Sequence, residues 1–278
     1  MINDCLEINI LTIFPNMFKG PFSESILNKA QEKGLIKINL IDLRDFSMDK
    51  HKTVDDYSYG GGPGMVLKPQ PIWDAVEVIK KNKSPLPLKI IITSAQGKIF
   101  NQRMAKDLSK ENRLLIICGR YEGIDERIPQ LLDAEEVSIG NFVVSGGELP
   151  SMLMVDAISR MIPGVLGKEE SMVNDSFYNG YLDYPHYTRP DEFKGLKVPD
   201  ILLSGNHKEI EEWRRKQSLL RTLIRRPEIF VNKKLSKREL DLLKELEKCF
   251  KEDYGKKTGK TENKNIKKLC SPGREEGA

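Results

Sequence analysis

An α/β fold on a buried parallel sheet, followed by a smaller helical region, is the fold class this sequence predicts, on three observations. Residues 88–93 (LKIIIT) and 114–118 (LLIIC) are near-continuous apolar runs of strand length, the pattern of strands covered on both faces. Segments with helical periodicity alternate with these runs, as βαβ units require. From Asp175 the character changes to aromatics, prolines and turn residues (DSFYNGYLDYPHYTRPDEF), then to charged helical sequence.

The chain opens β-α-β: an apolar strand at 6–14, a helix at 21–33 stopped by Gly34, and an alternating strand at 35–43 (LIKINLIDL). Residues 44–65 are polar and aperiodic, and a loop of this length inside a domain is functional or disordered. His51, Lys52, Asp55, Asp56, Tyr57 and Tyr59 give it more chemistry than a linker needs. Gly60-Gly61-Gly62-Pro63-Gly64 within it does not read as a nucleotide P-loop, because no strand leads directly into it and no G-K-[ST] follows. A helix at 69–81 has Ile72, Val76 and Ile79 on one face and prolines in its first turn, where they are tolerated.

The strand at 88–93 is expected to turn through Ser94-Ala95-Gln96-Gly97 into a helix at 98–108. The strand at 114–118 leads into Gly119-Arg120-Tyr121-Glu122-Gly123, and a third strand, 134–139, leads into Gly140-Asn141 and on to Ser145-Gly146-Gly147. Ligands of parallel sheets bind outside the carboxyl ends of the strands, so the three small-residue loops should converge on one site. A helix at 148–161, with Pro150 in its first turn, ends at Pro163-Gly164. The expected division is a domain at 1–165, a linker at 166–174, a helical domain at 175–250 and a disordered basic tail at 251–278.

In the second region a helix spans 206–226, with Asn206 as N-cap and Glu209 at N3. Its apolar seam is Ile210, Trp213, Leu220 and Ile224. Arg214, Arg221 and Arg225 form an adjacent stripe, either a solvated basic face or a phosphate-binding one. Ser236 and Glu239 cap a last helix carrying Leu240, Leu243, Leu246 and Phe250. The tail holds eight Lys/Arg against five acids and little apolar sequence, so it is read as disordered.

Composition excludes several classes. Hydrophobic content of 39% comes without any apolar run near the ~20 residues a membrane helix needs. The N-terminus has no basic n-region or small-residue cleavage site, so a cytoplasmic protein is expected, with no membrane partner. Cys5, Cys118, Cys249 and Cys270 are scattered, which argues against a disulfide framework or a zinc site, and no metal ligand set stands out. A formal charge of +4 means that any nucleic-acid surface is a local patch.

The segments CGRYEGIDER (118–127), SIGNFVVSGGELP (138–150) and SRMIPGVLG (159–167) resemble, in this order, the bacterial tRNA (guanine-N1)-methyltransferase family of the SPOUT superfamily. HKTVDDYSYGGGPGM, DSFYNGYLDYPHYTRP and SGNHKEIEEWRRKQSLLRT extend the likeness collinearly from about Ile10 to Arg226. The resemblance implies a SPOUT domain with a deep C-terminal trefoil knot, then a small, mainly helical tRNA-binding domain. It implies a homodimer with the active site at the subunit interface, and methylation of guanine N1 immediately 3′ of the anticodon (tRNA position 37). S-adenosylmethionine would be the methyl donor, and Mg2+ a further requirement for which the sequence offers no ligand cluster.

Carried over by position, the donor would be held by Ser94, Gln96, Gly119, Tyr121, Glu122, Ser138, Ile139, Gly140, Asn141, Phe142, Val143, Val144, Gly146, Gly147 and Pro150. Asp175 would be the general base and Arg160 its electrostatic partner. His51, Lys52, Asp56, Asn206, His207, Arg214, Arg221 and Arg225 would contact tRNA or shape its pocket. Ala95 stands where the family usually has proline, and Asn141 and Phe142 where Asp and Tyr are frequent; the family also usually ends near position 250.

The implied roles fit the chemistry. Methylating neutral guanine at N1 requires removal of the N1 proton, which a carboxylate can accept. An arginine at O6 stabilises the charge left behind. Read alone, an Asp before Ser is most often an N-cap and Arg160 at a helix end a complement to the dipole, so the structural readings are favoured without the resemblance. Another SPOUT RNA methyltransferase, acting on a ribose 2′-hydroxyl or on rRNA, and a non-catalytic RNA-binding factor are the alternative readings.

Overall fold

The computed structural model describes residues 5–81, 86–167, 175–231, 233 and 235–244. The chain divides into two compact units, Met1–Met172 and Val173–Ala278. Residues 168–174 of the expected linker, the tail 251–278, and the last helix beyond 244 with Leu246 and Phe250 lie outside the described residues.

In the first unit the strands are β1 (Leu6–Thr12), β2 (Ile36–Asp42), β3 (Asp55–Tyr57), β4 (Met65–Leu67), β5 (Leu88–Ile99), β6 (Arg113–Cys118) and β7 (Glu135–Ser138). Five of them make a wholly parallel sheet in the order β2-β1-β6-β5-β7. Its helices are α1 (Lys19–Phe22), α2 (Ser25–Glu32), α3 (Pro69–Lys81), α4 (Gln102–Leu108), α5 (Arg127–Leu132) and α6 (Glu148–Ser159).

The sheet is covered on both sides, which is why its strands read as apolar runs rather than alternating ones. On one face Ile90, Ile92, Leu115 and Ile117 pack with Ile72, Val76 and Ile79 of α3 and Ile128 of α5 in one core. On the other, Ala30 of α2, Ala105 of α4 and Met154 and Ile158 of α6 are buried, and α6 packs against β1, β6, α2 and α4. Each fully buried Ile or Leu contributes about 1.5–3 kcal/mol of transfer free energy, so this two-sided burial holds the sheet rigid behind its loops.

Three local expectations are corrected. The helix expected at 21–33 is two, α1 and α2, because Glu24 is extended and Ser25 is left-handed (φ 54°). The break is stabilised by Gln31, whose side-chain amide donates to the Phe22 carbonyl at 2.7 Å. Residues 94–97 do not turn into a helix. They bulge out of β5, which resumes when Lys98 and Ile99 pair with Val137 and Ser138 of β7; α4 starts only after its N-cap, Asn101, whose side chain accepts from the Met104 N–H at 3.0 Å.

The aperiodic stretch 44–65 is also ordered. A short 3-10 turn (Leu43–Phe46) leads to β3, which pairs antiparallel with β4. β4 is in turn stitched to the loop after β6, where Glu122 N–H donates to the Met65 carbonyl (3.0 Å) and Leu67 N–H to the Gly123 carbonyl (3.0 Å).

The second unit has its own core of Leu219, Leu223, Phe230, Leu242 and Leu243, with Tyr181 and Leu235 packed against it. Residues 175–191 are irregular, a two-stranded hairpin of β8 (Glu192–Phe193) and β9 (Leu196–Lys197) follows, then α7 (Asp200–Leu203) and the long α8 (His207–Arg225). The buried seam of α8 is Leu219, Thr222 and Leu223, whereas Ile224 of the expected seam is exposed. The core draws Leu219 and Leu223 inward because Phe230 and the helical turn at 237–244 lie on that side.

Candidate functional site

β6, β5 and β7 are neighbours in the sheet; the loops after β6 and β7 tie to one another through main chain, and the first of them is tied to β5 through the Thr93 side chain. Gly147 N–H donates to the Gly119 carbonyl at 2.7 Å, Arg120 and Gly146 form an antiparallel bridge, and Gly119 N–H donates to Thr93 Oγ1 at 3.2 Å. Glycine is required by the closeness. A Cβ on Gly147 would lie 2.0 Å from Thr93 Oγ1 and 2.7 Å from the Cys118 Cα, and one on Gly97 would lie 2.3 Å from the Glu136 carbonyl carbon.

Between the loops lies a cleft of about 280 Å³. Ser94 and Gln96 reach it from the bulge, Gly119, Tyr121 and Glu122 from the second loop, and Ser138, Ile139, Phe142, Val143, Val144, Gly146, Gly147 and Pro150 from the third. Gly140 and Asn141 are at the turn beyond β7, outside that lining. There Gly140 has φ 148°, and the Ser138 hydroxyl donates to its carbonyl at 3.1 Å. The glycines of this wall, Gly119, Gly146 and Gly147, have no side chain to keep a ligand from their main-chain N–H and C=O groups.

Sequence reasoning missed the polar support beneath these loops. Glu148, the first residue of α6, is 1% exposed. Its carboxylate accepts from the Thr12 hydroxyl at 2.9 Å and stands 3.7 Å from Arg120 Nε. Arg120 also donates from its guanidinium to the Ser145 carbonyl at 2.5 Å and lies 4.6 Å over the Phe14 ring. An acid in the first turn of a helix that follows two glycines was the available signal. Tyr121 is left-handed (φ 59°), and burial, then the nearby Asp55 carboxylate, raise the pKa of its hydroxyl.

The other named residues are distributed as follows. His51, Lys52 and Asp56 belong to the ordered stretch before and within β3. Asp49 organises it by accepting the His51 and Thr53 N–H groups, and these bonds, the Thr53 one foremost, hold its carboxyl below the usual range. Lys52 Nζ is 2.9 Å from Asp45, and Asp56 is 3.6 Å from Lys68. Arg160 is the C-cap of α6, partly exposed, in the first unit.

Asp175 belongs to the second unit, where it lines a cavity of about 810 Å³ together with Tyr181, Tyr184, Arg214 and Arg215. Asn206 caps α8, accepting from the Glu209 N–H at 3.4 Å, and His207 is the first helical residue. Arg214 lies 4.9 Å over the Tyr184 ring, Arg221 is partly buried and Arg225 exposed, so the arginine stripe is only in part a free basic face. Tyr187 stands 6.5 Å from Trp213 beside it. Among the described residues no group of three or more His, Cys, Asp or Glu is arranged to hold a metal ion, and no helix is long and apolar enough to cross a membrane.

The model of the tRNA (Guanine-1)-methyltransferase TrmD family matches residues 6–232. The chain belongs to that family. It is 56% identical over 243 residues to the tRNA (guanine-N(1)-)-methyltransferase of Geobacillus kaustophilus, covering 87% of this chain and 99% of the relative. It is 53% identical over 248 residues to that of Dictyoglomus turgidum, covering 89% and 99%, and 53% identical over 241 residues to that of Pelotomaculum thermopropionicum, covering 87% and 96%. The match takes in all three glycine loops and the whole of α8.

Proposed function

We propose that this chain methylates N1 of the guanine immediately 3′ of the anticodon in tRNA, with S-adenosylmethionine as donor. The observation that carries the proposal is the family membership joined to the glycine-walled cleft after three adjacent parallel strands. The convergence of three small-residue loops at the carboxyl ends of adjacent strands suits an adenosine-bearing ligand.

The donor is held by Ser94, Gln96, Gly119, Tyr121, Glu122, Gly146, Gly147, Pro150 and the 138–144 turn. S-adenosylmethionine supplies a methyl group on a sulfonium and leaves as a neutral thioether. Asp175 accepts the proton from guanine N1, and Arg160 donates hydrogen bonds to O6, where negative charge grows as that proton leaves. The target base is in an RNA loop and can be splayed out to present its Watson–Crick edge. Arg214, Arg221, Arg225, His51, Lys52 and Asp56 are assigned to tRNA, and Asn206 and His207 to the entrance of its pocket.

The three loops are read as a trefoil knot, on the strength of the family and of the Gly119–Gly147 and Arg120–Gly146 links that hold one loop against the other. The working unit is proposed to be a homodimer with the active site at the subunit interface. Phe142, Val143, Leu149 and Leu153 are each more than half exposed beside the cleft, the kind of apolar surface a partner subunit covers. The helical second unit is assigned to tRNA, the compartment is the cytoplasm, and Mg2+ is proposed as a requirement met through one or two carboxylates plus substrate groups.

Asp175→Ala tests the reading. It is expected to abolish turnover while calorimetry shows unchanged donor binding; unchanged turnover would remove Asp175 as the base.

A further inference from the structure

Asp175 opens a segment that folds back on itself before it reaches α8. Tyr178 N–H donates to the Asp175 carbonyl at 3.3 Å, Gly180 N–H to the Phe177 carbonyl at 3.1 Å, and Phe177 N–H to the Tyr181 carbonyl at 2.6 Å. Phe177 (φ 71°) and Gly180 (φ 72°) both take left-handed conformations that permit the double reversal. Asp183 N–H donates to the Ser176 hydroxyl at 2.9 Å, so the residue next to Asp175 is tied to the far end of the turn.

The turn is gripped from the last part of the chain. The Tyr181 hydroxyl donates to Glu239 Oε1 at 2.7 Å. Lys233 Nζ lies 3.3 Å from the Tyr181 ring centroid and donates to the carbonyls of Gly180, at 3.1 Å, and of Asn179. Glu239 is itself fixed: Oε2 accepts from the Ser236 N–H (2.8 Å) and hydroxyl (2.7 Å), and Oε1 is 3.3 Å from Arg215. Burial pushes the Glu239 carboxyl upward, but the Ser236 bonds, the Tyr181 hydroxyl and Arg215 outweigh it and leave it below its ordinary value. α8 holds the exit of the turn, with Leu182 N–H donating to Thr222 Oγ1 at 2.8 Å and Ser218 Oγ to the Leu182 carbonyl at 2.5 Å.

Apolar packing alone would bury the Tyr181 ring. A buried carboxylate with its donors contributes little net stability but fixes one geometry, so the network is better suited to positioning than to holding the core together. We infer that Tyr181, clasped by Glu239 and Lys233, is a positioning residue for Asp175, setting where its carboxylate stands against guanine N1. The inference rests on the proposed role of Asp175 as the base.

Tyr181→Phe removes the hydroxyl and keeps the ring. Single-turnover methyl transfer at neutral pH is expected to fall about tenfold, since small misplacements of a reacting group cost up to 10²-fold. Donor affinity and KM for tRNA should stay within about twofold. The deficit should narrow as pH rises, because hydroxide can take the N1 proton without an aligned base, and Asp175→Asn should show the same trend from a deeper loss. Glu239→Gln reads the contact from its other end and should behave as Tyr181→Phe does. Both variants at wild-type rate with Asp175→Asn inactive, or a deficit that does not change with pH, would overturn the positioning role alone. An Asp175→Asn enzyme at wild-type rate would overturn the base assignment itself.

Discussion

Arg120 Nε lies 3.7 Å from Glu148 Oε2, and through this pair the loop after β6 is braced against the start of α6. Glu148 is almost fully buried, so its partners, Arg120 and the Thr12 hydroxyl, offset the desolvation of its charge. Glu148→Ala would leave a poorly solvated guanidinium and a hydroxyl without an acceptor. Because Arg120 keeps the Ser145 carbonyl and the Phe14 ring, the substitution is expected to cost about 1–3 kcal/mol in denaturant unfolding, and to weaken donor binding about tenfold in the molecules that remain folded, which is ~1.4 kcal/mol. Equal stability with normal donor affinity would show that the pair is not the brace described.

Gly147 makes a sharper steric test. Its backbone is in the ordinary helical region, so an added methyl causes no φ strain, only collision with Thr93 Oγ1 and the Cys118 backbone. Gly147→Ala is expected to destabilise the first unit by about 1–3 kcal/mol and to lower donor affinity measured by calorimetry. Gly167→Ala, where the added Cβ meets nothing within 4 Å, should change stability by less than about 0.5 kcal/mol.

Glu135 bridges the bulge of β5, with Lys89 at 2.9 Å before it and Lys98 at 3.1 Å after it. These two lysines, Lys89 foremost, hold the Glu135 carboxyl below its ordinary range. A depressed carboxyl stabilises the fold above its unfolded pKa and loses that contribution as pH falls through the folded one. The Tm gap between the wild type and Glu135→Gln should therefore be full at pH 7 and close under acid conditions, below the ordinary Glu value of about 4.3. Because the group is partly solvated the gap corresponds to less than about 1 kcal/mol. A gap that widens toward acid would contradict the assignment.

The sheet was legible because its signals are local. Residues 88–93 and 114–118 are apolar throughout, and the helix expected at 69–81 is α3, with Ile72, Val76 and Ile79 buried as the periodicity required. The convergence of three loops followed from the rule for parallel strands, and the cleft joins them. What was not legible depends on distant partners. The bulge at 94–97 looked like a turn into a helix because the pairing that resumes β5 comes from Val137 and Ser138, some forty residues on. β3 and β4 hid because β3 pairs only with β4, and β4 is bonded in turn to Glu122 and Gly123 far along the chain. Glu148 gave no sign of its link to Thr12, and the burial of Leu223 rather than Ile224 was decided by Phe230 and residues 242–243.

Methyl transfer to N1 of one guanine leaves a distinct nucleoside, which mass spectrometry of digested tRNA detects. The protein is incubated with S-adenosylmethionine and either a tRNA carrying guanine 3′ of the anticodon or the same tRNA with adenine there. N1-methylguanosine in the first and no methylation in the second is the predicted result. A ribose-methylated product, methylation independent of that guanine, or no product at all would contradict it.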